Sequence, residues 1–194
     1  IEACVELIKT AYPFSQQLFE KTGQGDESKR FRKDRKTPLF AHSSRLAMMA
    51  AYLGCGSKLI AGLLCHDSVE DCSLDAKELK KTVGGVSAVF AKILTKPKCV
   101  YAGTGVNDDE WVFLIENPVK WQICTDVTTA ERYEKRLRLQ FEVTLNLDPL
   151  YISLDTTLEN KAAIKAKSFL AKILDHLDSM VTDKYLDPVN AGIR

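Results

Sequence analysis

The stretch that decides how this chain folds is HSSRLAMMAAYLGCGSKLIAGLLCHDSVED, residues 42 to 71. Leu46, Met49, Ala50 and Leu53 recur at helical spacing and line one face, and the pattern stops at Gly54-Cys55-Gly56. Ser57 is the expected cap of a second helix, which runs through apolar residues into a His–Asp pair and, one turn on, a Glu–Asp pair. His66 and Glu70 are four apart, Asp67 and Glu70 three, and Asp67 and Asp71 four. Such residues are neighbours on a helix surface, so one turn presents an imidazole and three carboxylates on adjoining strips. Their mutual repulsion is about a few tenths of a kcal/mol per exposed pair and larger on burial. A bound cation relieves it, and the mixed nitrogen and oxygen donors suit Mn²⁺, Fe²⁺ or Zn²⁺.

A metal needs further ligands, and the chain has only three histidines. His42 opens the first helix of the pair, and an antiparallel helical hairpin would carry it toward His66. His176 is the third. A distant helix offers Asp175 and Asp178 within AKILDHLDSMV, among Leu170, Ile173, Leu174, Leu177 and Val181, which read as its buried stripe. Taken singly, each feature has a bland reading: a histidine on a partly apolar helix is usually a core residue, and DSVED alone is a solvated acidic face. The ordered conjunction on consecutive helices favours a site.

Outward from this pair, residues 2 to about 22 show a helical pattern interrupted by Pro13. TGQGDESKRFRKDRKTP, residues 22 to 38, reads as an exposed basic loop. SLDAKELKKTVGG carries a cap at Ser73 or Asp75, a short amphipathic helix and a glycine stop, and VSAVFAKILTK is another helix ending near Pro97. Residues 97 to 127 concentrate glycines, β-branched residues and both tryptophans, and read as an irregular insertion holding a short hairpin. TTAERYEKRLRLQFEVTLN, residues 128 to 146, reads as a long helix, closed by a break at Asp148-Pro149. Residues 158 to 186 form the last helix, stopped by Pro188. The expected fold class is therefore all-α, a single helical-bundle domain over residues 1–194 with the 97–127 insertion inside it.

Bulk properties agree with an ordinary globular protein. At 194 residues, the chain can bury a real core, and 27 basic against 26 acidic residues argue against bulk attraction to nucleic acid. Six cysteines without a CxxC pair read as reduced thiols, hence a cytoplasmic protein. No apolar run approaches the roughly 18 residues of a membrane span, so neither a membrane nor a nucleic acid is an expected partner. A homodimer stays open.

The order of these residues resembles that of the HD-domain phosphohydrolases. HSSRLAMMAAYLG followed by AGLLCHDSVED is similar to the alarmone hydrolase domain of RelA/SpoT homologues and, in size, to single-domain small alarmone hydrolases. That family has a histidine followed 24 residues later by HDxxED, and His42 and His66 are 24 apart. Pro38 matches a family proline four residues before the first histidine. KILDHLDSMVT resembles the closing motif K-L-A-D-R-L-x-N-M-R-T, with Asp175 on its ligand aspartate, Met180 on its methionine and Thr182 on its threonine. The resemblance covers residues 5 to 96 and 130 to 185.

It implies an all-α bundle that binds a divalent metal, Mn²⁺ first with Zn²⁺, Fe²⁺ and Mg²⁺ as alternatives, and removes pyrophosphate from the 3′ position of ppGpp or pppGpp. His42, His66, Asp67 and Asp175 would be the ligands, and Glu70 and Asp71 would orient and deprotonate the attacking water. Arg32, Lys33 and Arg35 would meet the phosphates or a base, with either Arg32–Lys33 or Arg35–Lys36 on the family's basic position, and Ser179 and Thr182 would be further substrate contacts. Arg132 or Arg136 could join them, although a solvated helix face is the simpler reading. Ser179 stands where the family has an asparagine that holds nucleotide, and Ser43 where it usually has proline. Asp67 and Asp175 are 108 apart, longer than the family's usual spacing. These departures motivate two rivals: another phosphorylated nucleotide such as NADPH on the same machinery, and a non-catalytic metal- or nucleotide-binding module.

Overall fold

The computed structural model describes residues 2–24, 30–32, 36–95, 98–101, 111–114, 122–124 and 161–183. Six helices make up its body: α1 (Glu2–Gly23), α2 (Leu39–Tyr52), α3 (Ser57–Asp71), α4 (Ala76–Val83), α5 (Gly85–Leu94) and α6 (Lys161–Asp183). The body is all-α, as expected. The expectation for residues 128–146, the breaks at Asp148-Pro149 and Pro188, and the side chains of Arg132 and Arg136 lie outside the described residues. No described helix is long and apolar enough to cross a membrane.

Helix α3 is the centre. Leu59, Ala61, Leu63, Leu64, Cys65 and His66 are all buried, and α3 packs against α1, α2 and α5. A helix walled in on several sides needs apolar residues all round, and burying each leucine contributes roughly 1.5–3 kcal/mol. Gly62 sets the approach to α5: a Cβ there would lie 2.5 Å from Phe90 Cβ and 2.9 Å from the Ser87 carbonyl oxygen. Ser15 ties α1 to the same helix, its hydroxyl donating to the Leu64 carbonyl at 2.6 Å. Phe40, in the first turn of α2, meets Tyr12 edge-on at 5.0 Å and Phe19 at 6.0 Å, which anchors the start of α2 two residues before His42.

Several sequence expectations are corrected. Pro13 does not interrupt α1, because it faces solvent, where the carbonyl it deprives of a partner belongs to the exposed residue Lys9. Ser57 is the first helical residue of α3 rather than its cap; Gly56 takes the cap position in extended conformation. Leu53 falls past the end of α2 and is exposed, leaving His42, Ser43, Leu46, Ala47 and Ala50 as the buried face. The α4 cap is Asp75, whose carboxylate accepts from the Lys77 N–H at 2.7 Å, and Gly84 ends the helix at φ 80°. The 97–127 insertion holds the antiparallel strand pair its expected hairpin requires, β1 (Lys98–Tyr101) with β2 (Trp111–Leu114), and adds an unexpected third strand, β3 (Gln122–Cys124), with Val100 opposite Val112 and Val112 opposite Ile123.

The largest correction concerns α6. Of the expected stripe, Leu174 is buried, but Ile173 is 56% and Leu177 46% exposed. The face turned inward carries Ile164, Ser168, Ala171, Asp175 and Asp178, at helical spacings of four, three, four and three. Small and charged residues occupy this stripe because α6 packs chiefly on α2, whose facing side chains include His42 and Arg45.

Candidate metal centre

His42 enters from the first turns of α2 and is 3% exposed; His66, near the end of α3, is 2% exposed. Their rings meet at an angle of 63°, with centroids 5.2 Å apart. Two buried imidazoles side by side without intervening apolar packing call for polar partners. Asp67 supplies one: its Oδ1 lies 2.9 Å from His66 Nε2 and its Oδ2 3.9 Å from His42 Nε2. Donor atoms of His42, His66 and Asp67 all lie within 4.8 Å of one another. Ligands around one metal at bond lengths of about 2.0–2.2 Å need that kind of proximity. Asp175 reaches the trio from α6, with Oδ1 3.1 Å from His42 Nε2.

The second nitrogen of each ring is already engaged. His66 donates from Nδ1 to the Leu63 carbonyl at 2.8 Å. Nε2 is thereby left facing Asp67, yet the carboxylate lies off the ring direction, and Nε2 is buried with no hydrogen-bond partner. An unsatisfied buried nitrogen among carboxylates is the kind of group a cation would satisfy. His42 Nδ1 donates to Asp178 Oδ2 at 2.6 Å, and Arg45 grips the same carboxylate with a fork, Nε to Oδ1 at 2.6 Å and a terminal nitrogen to Oδ2 at 2.9 Å.

In the metal-free cluster the carboxylates and imidazoles stabilise each other's charged forms. Burial pushes the His66 pKa down, but the Asp67 carboxylate, then Asp175 and the Leu63 carbonyl, outweigh it and the net shift is upward. Burial pushes Asp175 up, and His42, Lys172 and His66 together hold it well below the usual carboxylate range. Asp178 is held low likewise, by His42 and Arg45 against its burial. The cluster thus sets carboxylates against two ring nitrogens, with Arg45 pairing Asp178 and Lys172 pairing Asp175. His42, His66 and Asp67, with Asp175 at their edge, could hold a divalent metal.

The other expected residues are distributed as follows. Glu70 lies on α3 one turn after His66, and its side chain is outside the described residues. Asp71, the last residue of α3, is half-buried. Arg32 is half-buried beside an isolated bridge between Phe31 and Pro38, its N–H donating to the Thr37 carbonyl at 2.8 Å. The bridge leads directly into α2, since Leu39 N–H donates to the Arg30 carbonyl three residues before His42. Lys33 and Arg35 lie outside the described residues. Ser179 is half-buried on α6; Thr182 is in the last turn of α6, its side chain outside the description.

Two participants escaped the sequence reading. Arg45 carried no signal beyond its place one turn after His42. Lys172 is 6% exposed, with Nζ 3.2 Å from Asp175 Oδ2, and its signal was the spacing of three to that aspartate. No known family profile, curated protein or solved structure matches this chain.

Proposed function

We propose that this protein is a metal-dependent phosphohydrolase of the HD type, acting on a phosphorylated nucleotide, with the 3′-pyrophosphate of ppGpp or pppGpp as its first candidate substrate. One observation carries the reading: buried histidines from two helices turn Nε2 toward one aspartate, and a second aspartate arrives from a helix far along the chain. A core histidine pair with a merely structural role has no need of two extra carboxylates, whose desolvation is costly.

A bound divalent ion, Mn²⁺ by the resemblance, would supply Lewis acidity and lower the pKa of a coordinated water. The chain's own groups do the rest. His42, His66, Asp67 and Asp175 would hold the ion. Glu70, by its place one turn beyond His66, accepts the proton of the attacking water, and Asp71 helps to orient it. The bond broken joins the ribose 3′ oxygen to the pyrophosphate phosphorus. Arg32, Lys33 and Arg35, on the segment that feeds α2, offer cations to the phosphates or a plane to a base.

Ser179 favours a second reading on the same machinery. A hydroxyl there, in place of the family's carboxamide, changes what α6 presents to a nucleoside, which keeps other phosphorylated nucleotides such as NADPH in contention. A panel of such compounds, with release of phosphate and pyrophosphate followed in Mn²⁺, separates the two substrates. Silence across the panel would leave a binding module. Glu70→Gln is expected to keep metal affinity while turnover falls by about 10²–10⁴; full turnover in that variant would remove Glu70 from water activation.

A further inference from the structure

Asp178 is three residues from Asp175 on α6, and the two carboxylates take opposite nitrogens of a single imidazole. Their roles differ. Asp175 stands on the Nε2 side with Asp67, where His66 Nε2 also lies; Asp178 stands on the Nδ1 side, 5% exposed and held by the Arg45 fork. The 2.6 Å contact to Nδ1 is the shorter of the two.

We infer that Asp178, braced by Arg45, is the positioning residue of the metal centre: it fixes the His42 ring so that Nε2 faces the ion. This rests on the metal reading above. A carboxylate that accepts the Nδ1–H of a ligand histidine fixes its tautomer, restrains its rotation and makes the other nitrogen a better donor. The brace matters because an aspartate can rotate about two bonds, whereas a carboxylate held bidentately by a planar guanidinium has its oxygens fixed. His66 needs no such device, since the Leu63 carbonyl of its own helix plays the part. His42 is in the opening turns of α2, and the carboxylate that serves it comes from another helix.

The test is calorimetric titration of the full chain with Mn²⁺. Wild type should bind; Asp178→Ala should bind about 10–100-fold more weakly. Asp178→Asn should recover part of the loss, because its carboxamide oxygen still accepts from Nδ1–H. Arg45→Met should cost less than Asp178→Ala, because it removes the brace and leaves the bond. Val83→Ala, a buried change on α4, serves as a control that lowers stability and leaves affinity unchanged. Nitrogen-15 spectra of Zn²⁺-loaded wild type should place the His42 proton on Nδ1. Should wild type bind no metal, the functional reading fails and this inference with it. If wild type binds and Asp178→Ala binds equally well, or the His42 proton sits on Nε2, the inference alone is overturned. Should Asp178→Ala not fold, Asp178→Asn and Arg45→Met decide by the same criterion, unchanged affinity in both overturning it.

Discussion

His42 and His66 lie side by side, but the chain holds them in opposite ways. His66 is secured locally: its Nδ1 partner is a carbonyl three residues back, and its carboxylate neighbour is the next residue. His42 is secured at long range, by two aspartates 133 and 136 residues away. The local arrangement forms as soon as α3 does. The distant one requires α2 and α6 to dock in a single register, because moving α6 by one residue would turn Asp175 and Asp178 away from the ring. The cluster thus joins one support that is local to α3 and one that is set by how α2 and α6 dock.

The largest expected effect comes from the one carboxylate the two histidines share. Asp67→Ala should weaken Mn²⁺ binding at least about 100-fold, more than any change on the α6 side that spares Asp175, as measured by titration calorimetry. Equal losses from Asp67→Ala and Asp178→Ala would erase the distinction drawn between local ligand and distant support. Next comes the packing that carries His66. In Gly62→Ala the new methyl must displace Phe90, an overpacking cost of roughly 1–3 kcal/mol, against a gain of about 1 kcal/mol in helix propensity. The net expectation is destabilisation in urea unfolding; a stabilised variant would mean that α3 and α5 separate easily.

The smallest effect is in pH, and there the two sides have opposite signs. His66 has a raised pKa when folded, so in metal-free protein its contribution is complete below the ordinary value of 6.5 and is lost as pH rises through the folded value. Asp175 and Asp178 have lowered values, so theirs is complete above the ordinary 3.8 and is lost as pH falls. Stability of the metal-free chain should therefore decline toward alkaline pH through His66 and toward strong acid through α6. Denaturation curves across pH check this, and a His66→Phe chain should lose the alkaline slope while keeping the acid one.

What was legible in the sequence follows the same division. The pattern around α3 could be read because helical spacing alone brings His66 and Asp67 to one turn, and the spacing to His42 needs only a hairpin. The face of α6 was misjudged because hydrophobicity was taken as the guide: Ile173 and Leu177 look like core, whereas the inward stripe is written in Ser168, Ala171, Asp175 and Asp178. Polar residues join a stripe only when their partners are known, and Arg45 and His42 are more than a hundred residues distant. Pro13 misled for a related reason: a proline breaks a helix when its freed carbonyl is buried, and here that carbonyl belongs to an exposed residue. The sheet within 97–127 left only a weak trace, since strands of three or four residues give alternation little length in which to show.

Cys65 precedes His66 directly, and burial pushes its thiol up to about 12 against the pull of Ser15. A sulfur so reluctant to ionise is a poor nucleophile and a poor target for peroxide, even one residue from the His–Asp cluster. Among the described cysteines, oxidation is expected first at exposed Cys4, with Cys65 the last to react.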